Sequence, residues 1–156
     1  MGDLLSNVVF SGFLLILAGI TLALQSGANA TLNRYGGRSF AAVISFVFGT
    51  LASLIFFAVD VGGHFTPAPN ADAIKAAPAY AWLGGLLGFI YVTSNIFSIP
   101  RLGAGTTLSI FVCSQVIMAC VIDHLGVIGD PQRTYSTWRI LASFGLVFFV
   151  FIIARF

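Results

Sequence analysis

Amides and hydroxyls set inside apolar runs are the side chains of this chain whose type and spacing suit chemistry. Thr21, Gln25, Asn29 and Asn33 recur every four positions, so on a helix they share one face. Gly84, Gly88, Tyr91, Asn95 and Ser98 make a second stripe, small at one end and polar at the other. Thr106, Thr107, Ser109 and Gln115 form a third group. A stripe of amides facing hydrocarbon is costly, so each must face protein or water. Two readings stay open. Interhelical hydrogen bonds, worth about 0.6 kcal/mol on average, hold a bundle together; or the three groups converge at one depth and line the path of a small polar solute.

Asp123-His124 is the other pair of interest. A carboxylate at the C-terminal end of a helix is opposed by the helix dipole, so Asp123 is not placed there for helix stability. It is either an interfacial residue paired with Arg133 or Arg139, or, with His124, a gate or proton-responsive group at the mouth of the path. His64, in a Gly-rich loop, reads as solvated. Cys113 and Cys120 share a helix face, but no histidine or carboxylate accompanies them at metal-ligand spacing; they read as small buried hydrophobes, with no disulfide framework and no metal. Gly103-Ala104-Gly105 imitates part of a phosphate loop yet lacks the strand, the remaining glycine and the lysine, and reads as a close-packed helix start. No nucleophile, base and orienting group share a catalytic spacing, so an enzyme is not expected, and no cofactor is implied.

The elements that carry these residues follow from composition. Of 156 residues 58% are apolar and 8% charged, with no glutamate and one lysine, Lys75; mean hydropathy is +1.01. A soluble domain carries roughly a quarter charged residues, so most of this surface must meet lipid. A net charge of +2 is too small to suggest nucleic acid.

A bilayer crossing takes about twenty apolar residues. Five crossings are expected, at about 8–30, 40–59, 78–98, 102–122 and 137–154, as one transmembrane domain of all-α class. Arg34 to Arg38 closes the first, a Gly- and Pro-rich stretch from Asp60 to Lys75 the second, Pro100-Arg101 makes a tight third turn, and Asp123 to Arg133 the last loop. Ala28-Asn29-Ala30 imitates a signal-peptidase site. However, Asp3 precedes an apolar run with no Lys or Arg before it, and that run is longer than an h-region, so a retained helix is expected. Ala41, Ser45, Gly49 and Ser53, together with Gly84 and Gly88, are small residues at helical spacing and read as packing seams.

With five crossings the termini lie on opposite sides. The side of the N-terminus carries Lys75, Arg133 and Arg139; the other carries Arg34, Arg38, Arg101 and Arg155. An excess of Lys and Arg normally holds loops in the cytoplasm, and three against four gives no clear excess. Either folding or a partner decides a single orientation, or the chain inserts both ways and pairs with an inverted copy of itself.

Taken together, Gln25 with Asn29-Ala30 and Leu32, Ser45-Phe46 with Gly49, Trp82 with Gly84-Gly85, Gly88 and Tyr91-Val92, Pro100-Arg101 with Gly103, Gln115, and Ile122-Asp123-His124 with Gly126 resemble the YdcZ-like family of the drug/metabolite transporter superfamily. The resemblance spans the chain. It implies a five-helix half-transporter of the bacterial inner membrane, found in the family as dual-topology homodimers, opposed pairs or fused ten-helix chains, with crossings one to four lining the path and the fifth holding the dimer. Ser114 stands where the family pattern has glycine. Related small multidrug exporters carry a glutamate in the first helix; this chain has none, so their proton-coupled exchange of cationic drugs does not carry over.

The expectation is an antiparallel homodimer of ten helices that moves a small solute, as an exporter, by alternating access. Gln25, Asn29, Tyr91, Asn95 and Gln115 are expected in the path and Asp123 with His124 at the gate. A passive channel built from the same inverted dimer and a non-transporting assembly subunit are the rivals.

Overall fold

Residues 8–126 and 132–156 are described by the computed structural model; Asp3 and the middle of the last loop fall outside them. The described chain is helical throughout its ordered elements: α1 (Val8–Gly36), α2 (Arg38–Gly62), the short α3 (Ala71–Lys75), a 3-10 segment (Ala79–Leu83) that runs into α4 (Gly84–Leu102), α5 (Ala104–Leu125) and α6 (Thr137–Arg155). Five of these stretches are long and apolar enough to cross a membrane, the third being Ala79–Leu102. Their most apolar windows are 0% to 17% buried. That decides how the apolar residues are used: they cover the outside rather than fill a core, the arrangement that lipid as solvent permits.

The chain gathers into two units, Leu24–Phe97 and Ser98–Phe156 with the N-terminal segment through Ala23. The first holds a small core of Ala41, Ala42, Val92 and Ile96, flanked by Leu32, Phe46 and Tyr91. Ala41 is wholly buried, as a small residue must be where helices approach closely. In the second unit α5 packs along α6.

The crossings extend beyond the apolar stretches that define them. α1 continues six residues past Ala30, with Thr31 to Gly36 still helical. The third break also moves. Pro100-Arg101 was the expected turn, but both lie inside the last turn of α4, and the chain breaks at Gly103 instead. A proline withdraws the N–H that would bond the carbonyl four residues back, here that of Ile96. Asn33 Nδ2 donates to the Ile96 carbonyl oxygen at 3.5 Å, so a neighbouring side chain takes the place of the missing backbone donor, as membrane helices allow.

Two of the breaks are built alike. A single residue, Gly37, separates α1 from α2, and a single residue, Gly103, separates α4 from α5. Gly37 has φ 81° and ψ 168°, Gly103 φ 79° and ψ 160°, a region open essentially to glycine alone. Each donates its N–H to the carbonyl four residues before it (Asn33, Ile99), and its own carbonyl accepts from the residue four after it (Ala41, Thr107). One glycine thus serves both helices while reversing the chain.

Two outcomes are expected. Gly37→Ala and Gly103→Ala each destabilise by about 1–3 kcal/mol, read by denaturant titration in detergent, whereas Gly19→Ala, where no atom would meet the added Cβ, is neutral or stabilising by up to about 1 kcal/mol. Asn33→Leu costs about 0.6 kcal/mol with Pro100 present and nothing measurable in a Pro100→Ala background, where the backbone donor to Ile96 is restored; additive effects in this double-mutant cycle would refute the compensation.

Candidate functional site

The polar stripe of α1 divides its contacts between two helices. Gln25 Nε2 and Asn29 Nδ2 both donate to Ser45 Oγ of α2, at 3.4 and 3.2 Å. Ser26 Oγ and Tyr91 Oη of α4 lie 3.4 Å apart as hydrogen-bonding hydroxyls, and Asn33 reaches Ile96 of α4. Residues 25 and 29 are one turn apart and 26 and 33 two turns apart, so the geometry of a 3.6-residue helix sorts them onto two adjoining faces. These bonds lie at or beyond the long end of the usual 2.7–3.2 Å range for N–H donors. The cluster is therefore polar yet held loosely.

Asn95 is 5% exposed, and its Nδ2 is buried without a hydrogen-bond partner among the described residues. An unmet amide donor in a low-dielectric site carries a cost of about 1–3 kcal/mol. Beside the Gln25–Ser45 contact an open cleft of about 580 Å³ is walled by Gln25, Ser45, Gly49, Thr50, Ser53 and apolar neighbours that include Phe57 and Val92. Gly49 and Ser53 are exposed, and no atom lies within 4 Å of a Cβ built at Gly49, Gly84 or Gly88. Of the small residues spaced along α2, Ala41 is buried and Ser45 half-buried, while Gly49 and Ser53 line this cleft.

Gln115 belongs to the other unit, is exposed, and has no hydrogen-bond partner among the described residues. Its neighbour Ser114 turns its hydroxyl back onto the carbonyls of Ile110 and Phe111, which satisfies it within α5. Asp123 and His124 lie in the last turn of α5, where the following segment folds back on them. Arg139 Nη1 pairs with Asp123 Oδ2 at 3.3 Å, and Arg133 N–H donates to the Asp123 carbonyl. Gln132 Nε2 donates to the His124 carbonyl at 2.7 Å, and the Tyr135 N–H donates to His124 Nδ1 at 3.3 Å. Tyr135 Oη and Ser143 Oγ bond at 2.7 Å, and Ser143 donates to the Arg139 carbonyl. Arg139 offsets the unfavourable dipole end on which Asp123 sits. His64 is exposed. Among the described residues no group of His, Cys, Asp or Glu is arranged to hold a metal.

A family model described as "Putative inner membrane exporter, YdcZ" matches residues 10–152. The chain belongs to this family. Inner membrane protein YdcZ of Escherichia coli (strain K12) is 27% identical over 119 residues, covering 76% of this chain and 78% of that protein. No solved structure matches the chain. Family membership together with five apolar crossings makes this YdcZ-family member a multi-pass inner-membrane protein of a transporter family, not of an enzyme family.

Sequence reasoning on the YdcZ-family chain missed Ser26, 2% exposed and bonded to Tyr91. The signal was present: Ser26 and Asn33 are seven apart, a second polar line beside the one through Gln25. It also missed Gln132 and Tyr135, which lie outside the apolar runs and carry no spacing cue, and Ser143, a single hydroxyl inside the fifth run.

Because one hydroxyl serves both amides through long bonds, Ser45→Ala is expected to lower stability by only about 0.6–1.7 kcal/mol. SDS-titration of the detergent-purified protein measures it. A loss above about 3 kcal/mol would mean the cluster is tight scaffold and not a yielding lining.

Proposed function

We propose that the chain is a carrier for a small neutral or anionic solute, working by alternating access as an inverted homodimer. Gln25, Asn29, Tyr91, Asn95 and Gln115 contact the solute. Asp123 and His124 gate the path. The observation that carries this reading is the open polar cleft of α1 and α2: Gln25, Thr50 and Ser53 are exposed at mid-crossing, and although Gln25 bonds Ser45 and Ser53 donates to the Gly49 carbonyl, a polar face turned to hydrocarbon is costly. A second copy covers them while leaving room between for a solute. The even division of Lys and Arg supports insertion in both orientations, and two inverted copies give the pseudo-symmetric site that alternating access requires.

The charges of the path support the solute class. No carboxylate lies within the described middle of any crossing, and the unmet Nδ2 of Asn95 is a donor, which suits an acceptor on the solute. Asp123, held by Arg139 and by the Arg133 backbone, supports a contact made and broken at the path mouth. Its side chain and that of Arg139 are each more than a third exposed, at 38% and 37%, so the pair is weak enough, at about 0–1 kcal/mol, to open.

Reporter fusions at Phe156 are expected to be active on both sides of the membrane. Ala68→Lys with Ala76→Lys, and separately Tyr35→Lys with Phe156→Lys, bias the chain in opposite senses. Each biased form alone is expected to lose counterflow of a solute found by thermal-shift screening, and co-expression of the two restores it. A single active compartment for the unmodified chain, or full counterflow from one biased form, refutes the inverted pair. Current without saturable counterflow refutes the carrier in favour of an open pore, and movement of quaternary cations alone refutes the solute class.

A further inference from the structure

A second cleft lies on the other side of α2, against α4, and does not depend on the carrier reading. It encloses about 660 Å³, within the range of sites that hold small molecules. Val43, Val47 and Leu51 of α2 form one wall and Phe89 and Phe97 of α4 the other, with the Phe46 and Phe89 rings 6.3 Å apart and tilted by 47°.

The lining carries one charge, at one end. Arg38 is the first residue of α2, and its guanidinium carbon sits 4.7 Å over the Phe97 ring. It has no carboxylate partner among the described residues. No side chain caps that end of α2, and its first turn contains no acidic residue. Helix N–H groups, the dipole and a free guanidinium thus meet where Ser39 adds a hydroxyl to the lining. Thr93, one turn from Phe97, lines the same cleft, and its Oγ1 is buried and without a partner among the described residues.

Length completes the case. From Arg38 to Leu51 the lining runs thirteen residues along α2, about 20 Å at helical rise. One leaflet contributes about 15 Å of hydrocarbon, half of the bilayer core. The cleft is therefore cationic at the depth of the headgroups and apolar for the depth of one leaflet. A free phosphate would leave the apolar part empty, and an uncharged chain would leave Arg38 unpaired. We propose that the α2–α4 cleft binds one anionic glycerophospholipid, its phosphate on Arg38, Ser39 and the first turn of α2, and one acyl chain along Val43, Val47 and Leu51. Arg is suited to this because its planar fork meets phosphate oxygens in pairs.

Delipidated full-length protein in detergent, titrated with phosphatidylglycerol, phosphatidylcholine or inorganic phosphate, tests the assignment through melting temperature and native mass spectrometry. Phosphatidylglycerol is expected to stabilise and to remain bound, with the other two weaker. Arg38→Ala should weaken phosphatidylglycerol binding about tenfold or more, the scale of one charge-assisted hydrogen bond. Arg38→Lys should keep part of it, and Val47→Trp should abolish it by filling the apolar part. Arg155→Ala, at the far end of α6, should leave it unchanged. Should Arg38→Ala fail to fold, Arg38→Lys and Val47→Trp still decide the matter. Equal stabilisation by phosphatidylcholine or by inorganic phosphate overturns the proposal, as does undiminished binding in Val47→Trp. Disulfide linkage between copies through Val47→Cys, in a chain lacking Cys113 and Cys120, would also overturn it by assigning the cleft to a second chain.

Discussion

Hydrocarbon neither donates nor accepts a hydrogen bond, and every polar group carried into a crossing must find its partner in protein. This constraint organises the molecule. It makes the crossings helical, so that backbone groups pair within each segment. It sends the amides of α1 toward α2 and α4. It also accounts for the use of Asn33 beside Pro100: the proline removes a donor in a place where water cannot substitute, and the asparagine supplies one. The polar cluster of the Leu24–Phe97 unit is thus partly scaffold. Gln25 and Asn29 share the single Ser45 hydroxyl at 3.4 and 3.2 Å, so neither amide is held tightly.

Packing works differently here than in a soluble domain. The described core is four buried residues with three partly buried neighbours, and large side chains such as Phe13, Phe48 and Trp138 face outward. Lipid tails are as apolar as leucine, so burying such residues inside the chain brings little gain. Close approach at Ala41 and hydrogen bonding at Ser26 and Ser45 take over the task of specifying which helices meet.

The number of crossings, their type and most of their extent were legible in the sequence, because twenty-residue apolar runs are set by bilayer thickness alone. The Gln25 and Asn29 stripe was legible for the same reason, since four-residue spacing survives any context. Turn chemistry was harder. Pro100-Arg101 carries the usual marks of a turn, yet a proline in the last helical turn is tolerated when its freed carbonyl is met from outside, and Asn33 is 63 residues away in the chain. Spacing marks Gly49 and Ser53 as one face of α2 and does not tell what covers that face. The wrap of Gln132, Arg133 and Tyr135 onto the end of α5 depends on loop residues whose contacts have no period to detect.

The one-residue links at Gly37 and Gly103 leave no slack between consecutive crossings. A single residue spans under 4 Å against a hydrocarbon core of about 30 Å. A state with one helix seated and its neighbour still outside would have to unwind several turns. At each link, the glycine therefore binds the end of one helix directly to the start of the next, with no spacer residue between them.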